Sequence, residues 1–305
     1  MSTLQYAILR IAHATCRSCI RHVPWGVGQR FIWSQICRPY LNWHQFSAVT
    51  PTFFGSSVTC NVADLIQAHI YYFGQWEPSL TAFLARRLRI GDTFIDVGAN
   101  IGYFSLLASS LVGPEGNVIA IEASPSIYEQ LVGNIKRNSV KNIRAVNVAA
   151  SDHHGAVDIY RGAAGNQGST SLVKALGTTK EATVQAVPLD QIISNSELST
   201  CRVIKIDIEG SELPVLECII NRIKDFSSDV NIVVELTRPE FDTGHTANRV
   251  IENFKDAGFF CYYLDNEFSI SRYLGKSVAL PARRLTTAIL ERTDLVFSRE
   301  EADFV

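Results

Sequence analysis

No aspartate or glutamate occurs before Asp64 in this 305-residue chain. The same acid-free stretch contains five arginines, whereas the whole chain has a formal net charge of -2. Those arginines are Arg10, Arg17, Arg21, Arg30 and Arg38. Because the chain as a whole has no basic field, the sequence predicts no nucleic-acid partner. The excess of arginine is local, and it sets the beginning of the chain apart from the remainder.

Long apolar runs and a disulfide framework are also missing. No run reaches the roughly 20 apolar residues that a membrane-spanning helix needs. The seven cysteines are odd in number and scattered, a pattern typical of reduced thiols in a cytoplasmic protein. Cys16 and Cys19 have the spacing of some zinc and redox sites, but no second matched pair of ligands accompanies them. The sequence therefore favours buried thiols and predicts no metal.

Helical periodicity begins at the start of the chain. On a helical wheel the apolar side comprises Leu4, Ile8, Ile11, Thr15 and Cys19, and the opposite side comprises Arg10, Arg17 and Arg21. The favoured interpretation is a helix whose apolar side packs on the rest of the protein and whose arginines are solvated. The alternative is an interfacial helix, with residues 1–22 in peripheral contact with an anionic membrane. The sequence thus predicts a helical or irregular, aromatic-rich N-terminal extension over residues 1–75, and leaves the oligomeric state open.

Predicted strands and helices alternate over the second domain, residues 76–305. Strands are predicted at 93–97, 117–121, 143–148, 156–160, 183–187, 202–207, 230–236, 259–264 and 286–297. Helices are predicted at 80–89, 102–112, 126–138, 211–223 and 245–257. Ser126 and Glu129 have the spacing of a capping box at the start of one of these helices. The alternation predicts an α/β fold with a mostly parallel, Rossmann-like sheet and helices on both faces.

A glycine-rich turn, Asp96-Val97-Gly98-Ala99-Asn100-Ile101-Gly102, follows the first strand of this domain. Ligands of open α/β sheets bind at the carboxyl ends of the strands, where glycine lets the backbone approach them closely. The next strand ends at Glu122, whose carboxylate can accept hydrogen bonds from both ribose hydroxyls of an adenosine ligand. Asp96 beside the turn disfavours the pyrophosphate of a dinucleotide and favours a cationic ligand such as S-adenosylmethionine. Asp152 can accept from the adenine amino group, although a simple turn role explains it equally well.

Five motifs, in this order, resemble the FkbM family of methyltransferases. They are YYFGQWEP at 71–78, GDTFIDVGANIGYFS at 91–105, NVIAIEASP at 117–125, VAASD at 148–152 and VIKIDIEGSE at 203–212. The resemblance implies a class I methyltransferase fold, S-adenosylmethionine as cofactor, and O-methylation of a hydroxyl on a secondary metabolite, sugar or glycolipid. By motif it places Glu77, Asp96, Gly98, Asn100, Glu122 and Asp152 in the cofactor pocket, and the glycine turn adds Gly102. The segment Ala123-Ser124-Pro125 departs from the family, which often has Glu-Pro directly, and this changes the turn but not the carboxylate.

Methylation of a hydroxyl requires a positioned acceptor and a group that takes its proton. The candidate groups are Asp207 and Glu209 in the KIDIEG segment and Glu235 in the VVELT segment. Asp207 is the leading candidate, either for catalysis or for orienting the cofactor. Glu209 has the alternative role of stabilising the N-terminus of the next helix. A polar loop over residues 165–170 is a further candidate, because it can donate amide and hydroxyl hydrogens to the acceptor.

Two other function classes compete with a small-molecule or glycan O-methyltransferase. One is N-methylation of a macromolecule, but DNA amino-methyltransferases typically carry Asn/Asp-Pro-Pro-aromatic where this chain has Asp-Ile-Glu-Gly. The other is a non-catalytic nucleotide-binding protein that uses the N-terminal extension for interactions. The presence of Asp96, Glu122 and Asp207 argues against this loss of activity. The sequence does not identify the methyl acceptor.

Overall fold

The structure, a computed structural model, describes residues 3–23, 26–42, 44–162, 170–171, 177–208, 212–236, 247–266, 273, 282–285 and 293–301. The α-helices are α1 (Thr3–His22), α2 (Gly26–Phe31), α3 (Leu65–Phe73), α4 (Pro78–Arg87), α5 (Tyr103–Val112), α6 (Pro125–Arg137), α7 (Leu189–Ile192), α8 (Asn195–Ser199), α9 (Glu212–Asn221) and α10 (Ala247–Asp256). A π-helix, Ile32–Leu41, continues α2. The strands are β1 (Ser47–Pro51), β2 (Ser57–Asn61), β3 (Thr93–Val97), β4 (Asn117–Ile121), β5 (Ile143–Val146), β6 (Ala149–Ser151), β7 (Gly155–Arg161), β8 (Thr170–Ser171), β9 (Thr179–Pro188), β10 (Cys201–Ile206), β11 (Asn231–Leu236), β12 (Phe260–Leu264), β13 (Arg283–Arg284) and β14 (Thr293–Ser298).

The main sheet has eight strands in the order β13-β12-β14-β11-β10-β3-β4-β5. Strands β11, β10, β3, β4 and β5 are parallel, and β14, β12 and β13 are added antiparallel. This confirms the predicted α/β fold with a mostly parallel sheet. Successive strands are added in opposite directions from β3 and from β10, so the order reverses between these two neighbours. Open α/β sheets bind ligands at such a reversal.

The central strands form where the sequence offers continuous apolar runs. All five residues of β3 and all six of β11 are buried, as expected of strands covered on both faces. The predicted bounds of β3 and β4 agree with the structure. Val97, the last residue of β3, pairs in register with Ile121 on one side and Ile206 on the other. The residues that follow these three strands therefore meet at one edge of the sheet.

A second sheet, in the order β6-β9-β7-β8, lies between β5 and β10 in the chain. The predicted strand at 143–148 is wrong at its end, because β5 stops at Val146 and Ala149 already belongs to the second sheet. The side chain of Asn147, between the two strands, donates to the carbonyl oxygen of Glu122 at 2.8 Å. Asp152 consequently follows β6 in the second sheet, and does not follow a strand of the main sheet.

The capping residue of α6 also differs from the prediction. Ser124, two residues before the predicted Ser126, accepts from the backbone N–H of Ile127 at 3.3 Å. Pro125 occupies the first turn, where its fixed φ angle suits a helix and no N–H is needed. The helix therefore begins two residues after Ala123, and the sequence departure noted above supplies its cap.

The orientation predicted for the first helix is wrong. Leu4, Ile8 and Ile11 are 70%, 58% and 67% exposed, so the predicted packing side faces outward. The side that packs on the protein comprises Leu9, Ala12, His13, Cys16 and Ile20. Polar contacts as well as apolar packing fix which side of α1 faces inward. Nδ1 of His13 lies 2.6 Å from the hydroxyl of buried Tyr72, and Arg21 donates to backbone carbonyls near the end of α3.

The N-terminal segment shares a hydrophobic core with the main sheet. One cluster of buried side chains contains Trp33 and Tyr72 together with Phe94 of β3 and Val296 of β14. The β1–β2 hairpin is further tied to α6, where Asn134 accepts from the backbone N–H of Thr59 at 2.9 Å. The domain boundary at residues 75 and 76 stays a prediction. None of the helices in the described ranges has the length and apolar character required to cross a membrane.

Candidate active site

The glycine loop after β3 is held against the end of β10. Gly98 has a φ angle of 81°, and a Cβ built on it would lie only 1.9 Å from the backbone oxygen of Asp207. Gly102 has a φ angle of 89°, and its Cβ would lie 2.6 Å from Cδ1 of Leu131 in α6. Both glycines are therefore needed for left-handed backbone and for close packing. The contact at Gly98 fixes the separation of the two loops at the sheet reversal.

Glu122 fastens this loop from the end of β4. Its carboxylate oxygens accept from the backbone N–H of Asn100 at 2.8 Å and of Ser124 at 2.9 Å. The side chain is buried, and burial raises the pKa of Glu122 to about 7, although the two N–H groups act in the opposite direction. Glu122 directly follows β4, and these contacts give it an anchoring role that the sequence pattern did not indicate.

A buried lysine lies between two carboxylates at the ends of β3 and β10. Nζ of Lys205 is 3.6 Å from Oδ1 of Asp96 and 3.2 Å from Oδ2 of Asp207. Asp96 is fully buried and accepts from the hydroxyl of Ser105 at 2.6 Å. Burial alone would lower the pKa of Lys205, but the carboxylates of Asp207 and Asp96 raise it above its ordinary value. The same burial raises the pKa of Asp96, against the effect of Lys205.

A cleft opens beside this group. It is lined by Ile66, Ile70, Trp76, Gly98, Ala99, Asn100, Ile101, Tyr103, Phe104, Lys205 and Asp207. The glycine loop forms one wall, α3 and Trp76 contribute an apolar wall, and Lys205 and Asp207 supply the charged groups. The cleft lies at the reversal of the sheet order, where the fold predicts a ligand site.

More carboxylates surround the charged end of the cleft. Glu77 is buried with a left-handed φ angle of 41°, and its carboxylate accepts from Asn266 at 3.4 Å. Burial raises the pKa of Glu77 well above its ordinary value, and the charges of Asp294 and Asp207 raise it further. Glu235 on β11 is the register partner of Asp294 on β14. The ends of four neighbouring strands thus concentrate acidic groups near one lysine.

The family of the protein follows from the same segments. A family model described as the methyltransferase FkbM domain matches residues 96–261, more than half of the chain. The chain belongs to the FkbM methyltransferase family. It therefore has the class I methyltransferase fold that the motifs predicted, and S-adenosylmethionine is the cofactor that membership of this family implies.

The relatives of this FkbM methyltransferase are distant. The hexuronic acid methyltransferase AglP of Haloferax volcanii is 25% identical over 163 residues, which are 52% of this chain and 61% of AglP. A protein-L-isoaspartate O-methyltransferase of Ignicoccus hospitalis is 35% identical over 68 residues, which are 22% of this chain and 32% of the relative. The chain thus spans less than two thirds of the length of either relative. Fibrillarin of Aeropyrum pernix, solved with S-adenosyl-L-methionine, has a TM-score of 0.40 and 12% identity over 82% of this chain and 92% of fibrillarin.

The charge distribution of the FkbM methyltransferase suits a cationic donor. Oδ1 of Asp96 is buried and accepts no hydrogen bond from any described residue. Lys205 faces Asp96, Asp207 and Glu77, so carboxylates outnumber the ammonium group around it. S-adenosylmethionine carries a sulfonium and an ammonium, which an excess of negative charge attracts. The sequence argument from Asp96 alone needs correction, because Lys205 offsets part of the charge of that residue.

The predicted site residues of the FkbM methyltransferase fall into four groups. Gly98, Asn100 and Asp207 line the cleft. Among the described residues the lining does not include Gly102, Glu122, Asp96, Glu77 or Glu235, which lie in the supporting loop and the acidic cluster. Asp152 is exposed, and its Oδ1 lies 2.6 Å from Nδ1 of His153. Glu209 and residues 165–169 of the predicted acceptor loop lie outside the described residues, so their roles stay predictions.

Two features of the cleft were missed in the sequence. Asp207 directly follows β10, two residues after Lys205, so the spacing predicted both side chains on one face, but only the carboxylate was assigned a role. Ile66 and Ile70 have helical spacing in a stretch interpreted as irregular, and α3 presents both to the cleft. Trp76 stands directly before Glu77 in the YYFGQWEP motif, which therefore also contained the signal for this aromatic wall.

Proposed function

We propose that the protein methylates a hydroxyl of a sugar-containing acceptor and that Asp207 accepts the hydroxyl proton. The supporting observation is the place of Asp207 in the cleft. Its side chain is 36% exposed, whereas that of Asp96, on the other side of Lys205, is completely buried. Of these two carboxylates bound to the lysine, only Asp207 can therefore meet an acceptor.

The residues around Asp207 would hold the donor in this proposal. The loop from Gly98 to Asn100 would contact its methionyl part, and Glu122 would accept from the ribose hydroxyls through lone pairs that the backbone N–H groups leave available. When bound, S-adenosylmethionine supplies an electrophilic methyl group on a positively charged sulfur. The cluster of Asp96, Asp207 and Glu77 would attract that charge to the carboxyl edge of the sheet.

Asp207 would then act on the acceptor. The bound donor would supply its methyl group to the acceptor oxygen as the carbon–sulfur bond breaks, and the hydroxyl proton would pass to the carboxylate of Asp207. Lys205 donates to Oδ2 of Asp207 at 3.2 Å and so fixes the direction of the carboxylate. A fixed orientation matters because a proton acceptor must lie within hydrogen-bond distance of the hydroxyl in the reacting geometry. Lys205 is thus a positioning residue.

Two observations support a sugar-containing acceptor, one from a relative and one from the lining of the cleft. The relative from Haloferax volcanii is named as a hexuronic acid methyltransferase. Inside, Trp76, Tyr103 and Phe104 give the cleft an aromatic wall beside its polar end. Sites of this mixed kind orient a ligand through a few polar groups while apolar rings cover the rest of its surface.

The test combines a substitution with a panel of acceptors. Asp207→Asn keeps the size of the side chain but removes its basicity, so turnover should fall about 100- to 10,000-fold. Calorimetry should show a much smaller change in the affinity for S-adenosylmethionine. Asp225→Asn, at an exposed position after α9, is the matched control and should leave both quantities unchanged. Mass spectrometry of uronic acids, neutral glycosides and aminosugars after reaction would locate the added methylene.

Two results would contradict the proposal. Full turnover in Asp207→Asn would mean that Glu235 or Glu209 accepts the proton, or that catalysis depends on positioning alone. Methylation of the amino group of an aminosugar, with no product from any hydroxyl, would establish N-methylation instead.

A further inference from the structure

The outer side of α1 is apolar and exposed. Leu4, Ile8 and Ile11 follow one another at steps of four and three residues, so they form one stripe along the helix. Their exposure of 58% to 70% contrasts with His13 and Ile20, which are buried on the inner side of the same helix. In the described part of the chain, this stripe is left without a packing partner.

A second apolar stripe runs along α2 and the π-helix that continues it. Val27, Phe31 and Tyr40 are 84%, 60% and 68% exposed, and Ile36 is also exposed. The steps between the four residues are four, five and four. Because a π-helix bonds residue i to residue i+5, the longer step at its start keeps Ile36 on the side of Phe31. The two stripes are carried by helices that pack against each other.

Positive charge accompanies the apolar residues. Arg10, Arg30 and Arg38 are exposed, and none of them forms an ion pair with a described residue. No acidic residue precedes Asp64, so the charge of these helices is uncompensated within the segment. Two copies of this surface placed face to face would bring their arginines together without a carboxylate, which disfavours self-association. A layer of anionic headgroups over an apolar interior satisfies both features at once.

We propose that α1, α2 and the π-helix form a surface that docks on a membrane containing anionic lipids. The helices lie along the interface, with the two apolar stripes in the boundary region and the three arginines among the headgroups. The inner side of this layer contacts α3, which in turn lines the cleft with Ile66 and Ile70. Docking would therefore hold the catalytic cleft beside the lipid surface, whatever the chemical identity of the acceptor.

The experiment measures binding of the full chain to vesicles. Phosphatidylcholine vesicles are compared with mixed phosphatidylcholine and phosphatidylglycerol vesicles, at low and high salt. The wild type should bind the mixed vesicles and lose binding as salt rises, because headgroup attraction is screened. Leu4→Ser/Ile8→Ser/Ile11→Ser should bind at least about tenfold more weakly. Arg10→Gln/Arg30→Gln/Arg38→Gln should lose roughly fivefold for each arginine.

Controls separate docking from folding and from activity. Ile90→Ser, at an 80% exposed isoleucine after α4, should bind the vesicles like the wild type. All variants should keep the wild-type melting temperature and affinity for S-adenosylmethionine, since the changed side chains are exposed and outside the cleft. These readouts also distinguish a failure of docking from a failure of the proposed hydroxyl chemistry.

Three outcomes would overturn the proposal. The first is a wild type that does not bind mixed vesicles at low salt. The second is undiminished binding by both triple variants. The third is a wild type that sediments as a dimer and becomes monomeric in the Leu4/Ile8/Ile11 variant, which would assign the surface to a second copy of the chain.

Discussion

The N-terminal layer (α1, α2 and the π-helix) and the carboxyl edge of the main sheet each contain a cation that is at least partly buried. The two regions provide different hydrogen-bond acceptors for their cation. Arg21, in the N-terminal layer, donates to neutral oxygens: the carbonyls of Pro51, Ile70, Tyr71 and Tyr72 and the hydroxyl of Thr50, at 2.7 to 3.2 Å. Burial lowers the pKa of Arg21 to about 10. Lys205, at the sheet edge, faces carboxylates, which raise its pKa.

The difference indicates what each cation does. Three of the acceptors of Arg21 are carbonyls in the last turn of α3, and that of Ile70 also accepts from the backbone N–H of Gly74. Arg21 thus completes the hydrogen bonding at the end of α3. The C-terminus of a helix also favours a positive charge such as that of Arg21. Lys205 instead leaves an excess of negative charge beside an open cleft. One cation is structural, and the other lines the candidate active-site cleft.

The strongest test of the contrast is Lys205→Met. Removing one partner of a buried ion pair leaves an uncompensated charge, so the free energy of unfolding should fall by about 3–5 kcal/mol. Turnover should fall as well, because Asp207 loses the donor that orients it. Denaturant unfolding and a methyl-transfer assay measure the two effects.

A double-mutant cycle with Asp96→Asn is the control for this prediction. The double variant no longer contains the unpaired buried carboxylate of Asp96, so it should be more stable than the sum of the single effects implies. Strict additivity of the two substitutions would contradict the inferred coupling between Lys205 and Asp96.

Arg21→Met should have a smaller and purely structural effect. Several buried carbonyls lose their charged donor, which we expect to cost about 2 kcal/mol of unfolding free energy. Affinity for S-adenosylmethionine should be unchanged in the folded variant. Arg10→Met, at an exposed arginine of the same helix, is the matched control and should change stability by no more than about 0.5 kcal/mol. Loss of cofactor affinity in folded Arg21→Met would remove the distinction between the two cations.

The sequence predicted one of these regions much better than the other. The apolar runs of β3 and β4 and the glycine turn identified the sheet edge, because strand burial and left-handed glycines leave local signals. The side of α1 that packs inward could not be obtained from periodicity. Its orientation depends on Tyr72 and on the carbonyls reached by Arg21, which are distant in sequence. The neutralisation of Asp96 by Lys205 was missed for the same reason, since it depends on pairing between β3 and β10.

Glu122 extends the comparison to a buried carboxyl group held by backbone N–H groups. Its pKa of about 7 in the folded protein exceeds the ordinary value of 4.5, so the folded state keeps a proton that the unfolded state loses between these pH values. The contribution of Glu122 to stability is therefore full below pH 4.5 and is lost as pH rises to about 7. The two pKa values differ by about 2.5, which at about 1.4 kcal/mol for each pKa unit corresponds to a change of roughly 3 kcal/mol across this range. Glu122→Gln does not titrate, so its unfolding free energy should fall less steeply with pH than that of the wild type. Glu129→Gln, at an exposed position on α6, should retain the wild-type slope. Identical slopes in wild type and Glu122→Gln would mean that Glu122 is ionised throughout this pH range. Its N–H donors would then stabilise the charged form, as the carboxylates stabilise the charged form of Lys205.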